Sequence, residues 1–282
     1  MKLVRYGNPG QEKPGIVDGD GTIRDLSGIV PDINGAMLRA GGLEKIRATK
    51  AKSLPAAAAG TRIGPCVGDV RHFIAIGLNY ADHAKEAGMP VPKEPIIFSK
   101  ATSCIVGPND NVVIPKSSHK CDWELELAVI IGRRASYVAA NEALSYVAGY
   151  CVCNDVSERE WQQERGGQWI KGKSAPTFGP LGPWFVTADE VPDPQNLNMQ
   201  LLLNGKRQQS GSTKTMIFGV EHLVSYLSHF MLLEPGDIIT TGTPPGVGSG
   251  MKPPQFLKAG DTMELSIDGL GTQRQNVVAW SG

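Results

Sequence analysis

Short apolar runs separated by glycine, proline and polar turns dominate the chain and predict many strands. Within these runs, apolar side chains alternate with polar ones or continue for a few residues, which is typical of strands buried on one or both faces. Two turn signals, DGDG at 18–21 and Asn204-Gly205, predict hairpins. The main predicted strands are HFIAIGLN (72–79), PIIFSK (95–100), VVIP (112–115), WELELAVIIG (123–132), AGYCVCND (148–155) and IITTG (238–242).

Helical periodicity is confined to a few segments. The strongest lies in 218–233, and shorter helices are predicted within 32–50, within 79–88 with Asn79 as the N-cap, and directly after Asp155. Because strands outnumber helices and no regular βαβ alternation is present, the predicted fold class is α+β, built on a mostly antiparallel, rolled β-sheet.

The pattern changes near residue 68, which predicts two domains. A small N-terminal β-rich domain would span residues 1–68, and a larger catalytic domain would span 69–282.

Composition narrows the class of protein. The chain has 282 residues, 41% of them hydrophobic, with a formal net charge of zero and a pI of about 7.0. This balance gives no electrostatic case for nucleic acid or for an anionic membrane surface, and no apolar run reaches the length of a membrane helix. The five cysteines are odd in number and form no CxxC motif, which suits a reducing compartment, and the first residues lack a signal-peptide core. We therefore expect a cytoplasmic location.

Three acidic residues carry the strongest chemical signal. Glu124 and Glu126 are two apart in a predicted strand and so share one face, and Asp155 follows a second apolar run. Paired glutamates on a strand are more often a solvated face. Here, however, the flanking apolar residues predict a buried strand, and buried carboxylates repel one another unless a cation joins them. Hard oxygen ligands suit Mg²⁺, Mn²⁺ or Ca²⁺, so these residues are candidate metal ligands.

A candidate base lies on the short helix within 79–88. His83 and Glu86 are three apart and share a face, so the carboxylate could orient the imidazole and raise its basicity, although a surface ion pair would show the same spacing. Lys173 is a candidate for binding a carboxylate or an enolate, and on composition Lys171 is an equal candidate.

The segment 241–250, TGTPPGVGSG, is neither a Walker loop nor a dinucleotide-binding loop. Its amides could form an anion-binding concavity to which Thr243 adds a hydroxyl, or it could be only a tight connection. Arg159 and Gln163, which follow Asp155, are further candidates for substrate contact. A GxSxG motif is absent, which disfavours acyl-enzyme chemistry.

Over roughly residues 70–275, the order and spacing of these motifs resemble those of the fumarylacetoacetate hydrolase superfamily. Within it, MKLVRYG, QEKPG, DLSG and MKPPQFLKAGD resemble bacterial proteins labelled ureidoglycolate lyase or 2,4-diketo-3-deoxy-L-rhamnonate (or fuconate) hydrolase. The segments that carry the family resemblance are GLNYADHAKE, KEPIIFSK, DWELELAVIIG, CNDVSERE, KGKS, TFGPLGPW, MIFGVEHLVSYLS and EPGDIITTGTPPGVG.

The resemblance implies roles for the candidate residues. It implies a divalent metal, Mg²⁺ or Mn²⁺ with Ca²⁺ as a further candidate, on the three acids, a His–Glu pair on a mobile lid, and Lys173 rather than Lys171 at the active site. It also implies substrate contact by Thr243. One departure is that many relatives carry an acid where this chain has Pro176, and a larger residue where it has Ala175.

The implied activity is metal-dependent hydrolysis of a C–C bond in a 2,4-dioxo acid, giving pyruvate and a short acid. Ureidoglycolate lyase, oxaloacetate decarboxylase and dioxo-acid isomerase activities remain alternatives, because each uses the same enolate-stabilising site. A non-catalytic metal-binding protein is disfavoured by the presence of a base and a lysine. We expect a homodimer acting on a small-molecule oxo acid.

Overall fold

The computed structural model describes residues 1–86, 88 and 90–282, and within them the chain forms seventeen strands and six α-helices. The helices are α1 (Gly35–Arg39), α2 (Gly42–Arg47), α3 (Ala81–Glu86), α4 (Arg159–Gln163), α5 (Ile170–Lys173) and α6 (Val220–Phe230). The strands are β1 (Lys2–Tyr6), β2 (Lys13–Val17), β3 (Ile23–Asp25), β4 (Phe73–Gly77), β5 (Ile96–Lys100), β6 (Ile105–Val106), β7 (Val112–Ile114), β8 (Cys121–Asp122), β9 (Leu125–Ile131), β10 (Val147–Asn154), β11 (Ser157–Glu158), β12 (Gly179–Thr187), β13 (Asn198–Leu203), β14 (Lys206–Ser212), β15 (Ile238–Thr240), β16 (Thr262–Ile267) and β17 (Gly271–Ala279).

Two large sheets and one small one organise these strands. The ten-stranded sheet runs β3-β2-β1-β12-β10-β9-β15-β4-β5, with β6 also paired to β12. The five-stranded sheet runs β14-β13-β16-β17-β7, and β8 pairs with β11 alone. Within the described residues, the parallel pairs are β4–β15, β6–β12 and β7–β17, and the other pairs are antiparallel. The predicted α+β class with a mostly antiparallel sheet is confirmed.

The core lies where the two large sheets meet. Every residue of β9 and β10 is buried, because the second sheet packs on these strands through β13, β16 and β17. Cys151 and Cys153 in β10 are buried free thiols that pack as small apolar side chains. Strands buried on both faces read as near-continuous apolar runs, which explains the sequence LELAVII of β9.

Several local predictions are confirmed. The turn at 18–21 joins β2 to β3, Asn204-Gly205 joins β13 to β14, and α1 and α2 fall within 32–50 with a break at Gly41. The long helix is also present, but α6 spans only Val220–Phe230 and is therefore shorter than the periodic segment 218–233.

Two local predictions are wrong. The segment after Asp155 first forms β11, paired with β8, and α4 begins only at Arg159. Asn79 does not cap α3, which begins at Ala81. Its side chain instead donates to the backbone oxygens of Phe218 and Thr241, both at 2.9 Å. Its Oδ1, the atom that would cap a helix, accepts from the Phe218 N–H at 2.8 Å, so a tertiary donor has outcompeted the local cap.

The N-terminal strands join the main sheet directly. β1 pairs with β2 on one side and with β12 on the other, where Leu3 is the partner of Phe185. The boundary at residue 68 stays a prediction. In the part of the chain that the structure describes, no helix has both the length and the apolar character needed to cross a bilayer.

Candidate active site

Three acidic side chains converge where the start of β9 lies beside the end of β10. Because side chains two apart along a strand share a face, Glu124 and Glu126 point the same way. The antiparallel pairing sets Glu126 opposite Cys153, and the Asp155 backbone N–H donates to the Glu124 carbonyl at 2.9 Å. One carboxylate oxygen from each acid lies within 4.8 Å of the others, and all three residues are buried. The structure thus brings together the three predicted metal ligands.

Buried cations balance most of this charge. Lys173 Nζ lies 2.6 Å from Glu124 Oε2 and 2.7 Å from Asp155 Oδ2, and Arg159 Nη2 lies 2.7 Å from Glu124 Oε1. Burial opposes ionisation of Glu124, but Lys173 and Arg159 outweigh it and lower the pKa of Glu124 to about 2. The Glu124 carboxylate is therefore ionised at neutral pH.

Glu126 has a different environment. Among the described residues it forms no ion pair, and its Oε2 accepts only the Gly242 N–H at 2.9 Å. Burial, together with Asp155 and Glu124, raises its pKa well above the usual value. A buried carboxylate cluster with an excess of negative charge and hard oxygen donors fits a divalent cation, which would favour the ionised form of Glu126.

The segment 241–250, called the glycine loop from here on, does bind anions, and they are the protein's own carboxylates. Its Gly242 amide donates to Glu126, and its Gly246 amide donates to both oxygens of Glu86 at 3.0 and 3.2 Å. The amides of Gly248 and Ser249 donate to Asp122 at 2.7 and 3.0 Å. The loop therefore fixes three carboxylates that come from α3 and from the stretch 122–126.

The predicted His–Glu pair forms on α3. His83 Nδ1 lies 3.1 Å from Glu86 Oε2, and His83 is buried while Glu86 is about one-fifth exposed. Glu86 also packs against Gly250, where an added Cβ would lie 2.6 Å from Glu86 Cγ. The dyad is thus held against the glycine loop by hydrogen bonds and by close contact.

A cavity of about 410 Å³ contains these groups. Eight of the nine predicted site residues line it, and the ninth, Asp155, is bound by Lys173 at 2.7 Å without lining the cavity. Phe98 and Trp169 form an aromatic wall, with ring centroids 5.3 Å apart. The predicted residues that line the cavity are His83, Glu86, Glu124, Glu126, Arg159, Gln163, Lys173 and Thr243.

The three predicted substrate contacts differ in what their side chains already bind. Thr243 donates its hydroxyl to the Leu125 carbonyl and accepts from Gln209. Arg159 donates to Asp122 and to Gln162, besides its ion pair with Glu124. Both side chains therefore hold the site together, whereas Gln163 is exposed at the cavity. Their role in substrate contact stays a prediction.

The structure separates the two lysines that the sequence left equal. Lys173 is buried among the acids, whereas Lys171 is exposed and donates to the Arg165 carbonyl at 2.6 Å. The departure at Pro176 lies outside the cavity, because Pro176 is exposed and neither it nor Ala175 lines the pocket.

Sequence reasoning missed several residues that organise the site. Lys100 binds Asp155, and Asp122 binds both Arg159 and the glycine loop. Gln209 ties β14 to Thr243 and Pro244. Lys100 could have been noticed as a polar residue at the end of the apolar strand β5. The sequence alone, however, does not identify its partner.

Comparisons with known proteins agree with this geometry. The family described as "Fumarylacetoacetate (FAA) hydrolase C-terminal" matches residues 72–278. A protein of Burkholderia cenocepacia that is provisionally named a hydrolase is 62% identical over 277 residues, covering 98% of each chain. The chain belongs to the fumarylacetoacetate hydrolase family.

Two solved structures extend the likeness. Fumarylacetoacetate hydrolase from Exiguobacterium antarcticum is 35% identical with a TM-score of 0.86, covering 99% of this chain and all of that one. Maleylpyruvate hydrolase from Sphingobium sp. SYK-6, solved with manganese(II) and pyruvate, is 30% identical with a TM-score of 0.82 over the whole of both chains. The family and the buried acid triad define a hydrolase-type enzyme with a divalent-metal site.

Proposed function

We propose that this protein hydrolyses the C3–C4 bond of a 2,4-dioxo acid to pyruvate and a short acid, with Mg²⁺ or Mn²⁺ at Glu124, Glu126 and Asp155. The observation that carries the proposal is that a hard-oxygen triad, two of whose acids line the cavity, meets a His–Glu dyad and a buried lysine there. The similar maleylpyruvate hydrolase, whose structure contains manganese(II) and pyruvate, supports the choice of substrate class. When bound, the divalent cation would supply Lewis acidity at the 2-oxo acid end of the substrate.

The dyad prepares the attacking water. Since Glu86 Oε2 lies 3.1 Å from His83 Nδ1, it holds the ring proton on that nitrogen, which leaves His83 Nε2 as the base. Nε2 takes a proton from a water molecule whose oxygen bonds to C4 of the substrate. As the C3–C4 bond breaks, its electron pair stays on C3, and the proton on Nε2 is then transferred to C3. The hydroxyl group of the water therefore ends in the short acid, and its proton ends in pyruvate.

Lys173 stabilises the leaving enolate. Two of its three N–H bonds go to Glu124 and Asp155 at 2.6 and 2.7 Å, and the third remains for a substrate oxygen in the cavity. Negative charge that develops on the pyruvate oxygen during C–C cleavage would therefore meet a fixed ammonium group in a buried site. The aromatic wall of Phe98 and Trp169 excludes water from one side of the reacting carbons.

The test is a side-by-side assay of purified protein with Mg²⁺ or Mn²⁺. Acylpyruvates and diketo-deoxy sugar acids should release pyruvate together with the matching short acid in equal amounts. Oxaloacetate, ureidoglycolate and an unsaturated dioxo acid are tested as alternative substrates. Their turnover is measured by the release of carbon dioxide, by the release of urea and by the absorbance of the double bond, respectively. Turnover confined to one of these competitors, or no turnover of any acylpyruvate, would contradict the proposal.

A further inference from the structure

Lys100 is a buried lysine that the proposed reaction does not use. It ends β5 and pairs with Phe73 of β4, and its side chain is fully enclosed, with an exposed fraction of 0%. An ammonium group in this position must be paired and hydrogen-bonded, because an isolated buried charge is very costly. The arrangement of its partners therefore shows what the residue holds in place.

All three N–H bonds of Lys100 have acceptors around Asp155. Nζ lies 2.6 Å from Asp155 Oδ1 and 3.5 Å from the Val156 carbonyl, and it also donates to the backbone carbonyl of Lys173. Lys100 thus joins a candidate ligand to the end of the helix that carries Lys173. It lines no part of the cavity and cannot contact a substrate there.

The two oxygens of Asp155 consequently have different surroundings. Oδ1 is bound by Lys100, whereas Oδ2 lies 2.7 Å from Lys173 Nζ, which in turn lies 2.6 Å from Glu124 Oε2. Oδ2 is therefore the oxygen on the side of Glu124, with which it shares the Lys173 ammonium. Fixing one oxygen of a ligating carboxylate by an outer hydrogen bond is the usual way in which a protein orients such a ligand.

We propose that Lys100 is a positioning residue of the metal centre, which binds Asp155 Oδ1 and so presents Oδ2 alone to the divalent cation. The inference rests on the metal site proposed above. Lys100 would have a second effect. Its hydrogen bond to the Lys173 carbonyl would keep the Lys173 ammonium beside Asp155.

A role of Lys100 through its charge and a role through positioning predict opposite changes in cation affinity when Lys100 is removed. Four buried carboxylates (Asp122, Glu124, Glu126 and Asp155) meet three buried cations (Lys100, Arg159 and Lys173). If Lys100 acted only through its charge, then removing it would leave the site more negative and tighten cation binding. If it positions Asp155, then removing it should weaken binding by about 10-fold or more. The sign of the change therefore separates the two roles.

The experiment measures Mn²⁺ affinity by calorimetry for the parent, Lys100→Met, Asp155→Asn and the double variant. Lys100→Met should weaken Mn²⁺ binding by about 10-fold or more. The double variant should bind Mn²⁺ as tightly as Asp155→Asn, because Lys100 acts at Asp155, both directly and by holding Lys173 beside it. Lys171→Met, which alters an exposed lysine close in the chain to Lys173, is the matched control and should bind Mn²⁺ like the parent.

Unchanged or tighter Mn²⁺ binding by Lys100→Met would overturn the positioning role, as would a double variant that binds about 10-fold more weakly or more tightly than Asp155→Asn. If Lys100→Met does not fold, the comparison of Asp155→Asn with the double variant still decides, since the double variant removes both partners of the buried pair. Glu126→Ala separates this inference from the proposed metal site. If Glu126→Ala binds Mn²⁺ as tightly as the parent does, the site itself is wrong.

Discussion

Gly250 offers the sharpest single test of the His–Glu dyad. An added Cβ would lie 2.6 Å from Glu86 Cγ and 2.7 Å from Glu86 Cδ. Gly250 is not among the residues with positive φ, so alanine brings a methyl group without backbone strain. Because the Glu86 carboxylate is held by Gly246 and His83, it cannot rotate away without losing those bonds. Gly250→Ala should therefore displace Glu86 and leave the candidate metal ligands in place.

The size of the effect follows from the distances. Glu86 Cγ must retreat from 2.6 Å to at least 3.4 Å to reach ordinary contact with the new methyl group. A displacement of about 1 Å in a catalytic group costs about 100-fold in rate. Expressed as activation free energy, a 100-fold loss is about 2.7 kcal/mol. We expect this loss in kcat, with Mn²⁺ affinity unchanged.

The assay is steady-state pyruvate release by Gly250→Ala and by a matched control. Gly19→Ala is that control, because a Cβ at Gly19, in the turn between β2 and β3, has no atom within 4 Å. Gly19→Ala should retain the parent's kcat and melting temperature. If Gly250→Ala stays within threefold of the parent's kcat, the dyad does not depend on the Glu86 position and the reasoning fails.

Three further predictions concern the metal and the short helix α3. Glu126→Ala should lose metal affinity and activity together, and calorimetry with Mg²⁺ and Mn²⁺ checks this; parent-like affinity would show that the ligand assignment is wrong. His83→Ala should lower kcat by at least about 100-fold while Mn²⁺ affinity stays near that of the parent, since the proposed mechanism makes His83 a base and not a ligand. An active His83→Ala variant would exclude that role. Hydrogen exchange across 79–86 should slow when oxalate and the metal bind, because α3 has only six residues and few of its own bonds. Equal exchange with and without oxalate would argue against a closing lid.

The Glu124–Glu126 pair could be predicted from sequence because its spacing is local, whereas Asp155 follows a second strand. Glu124 and Glu126 are two apart in a strand, and that period alone places them on one face. His83 and Glu86 follow from helical spacing in the same way. In both cases the relevant geometry lies within one element, so a short stretch of sequence contains it.

The supporting contacts could not be predicted, since they join distant segments. Lys100 and Asp155 are 55 residues apart, and Asp122 and Gly248 are 126 apart. The expected N-cap at Asn79 failed for the same reason, because its partners come from residues 218 and 241. Only the packing of the sheets places such groups together. The amides of the glycine loop were recognised as anion donors, but the identity of the anions needed the fold.

The pairing of β1 with β12 means that the family-matched segment 72–278 is not a self-contained unit. Deleting the residues before it would leave the backbone N–H and C=O groups of β12 that face β1 without their partners. An exposed strand edge of this kind recruits strands from other molecules. Phe185, which is buried beside Leu3, would lose part of its cover as well. A shortened chain should therefore aggregate before its catalytic competence can be judged, so activity measurements belong on the full 282-residue chain.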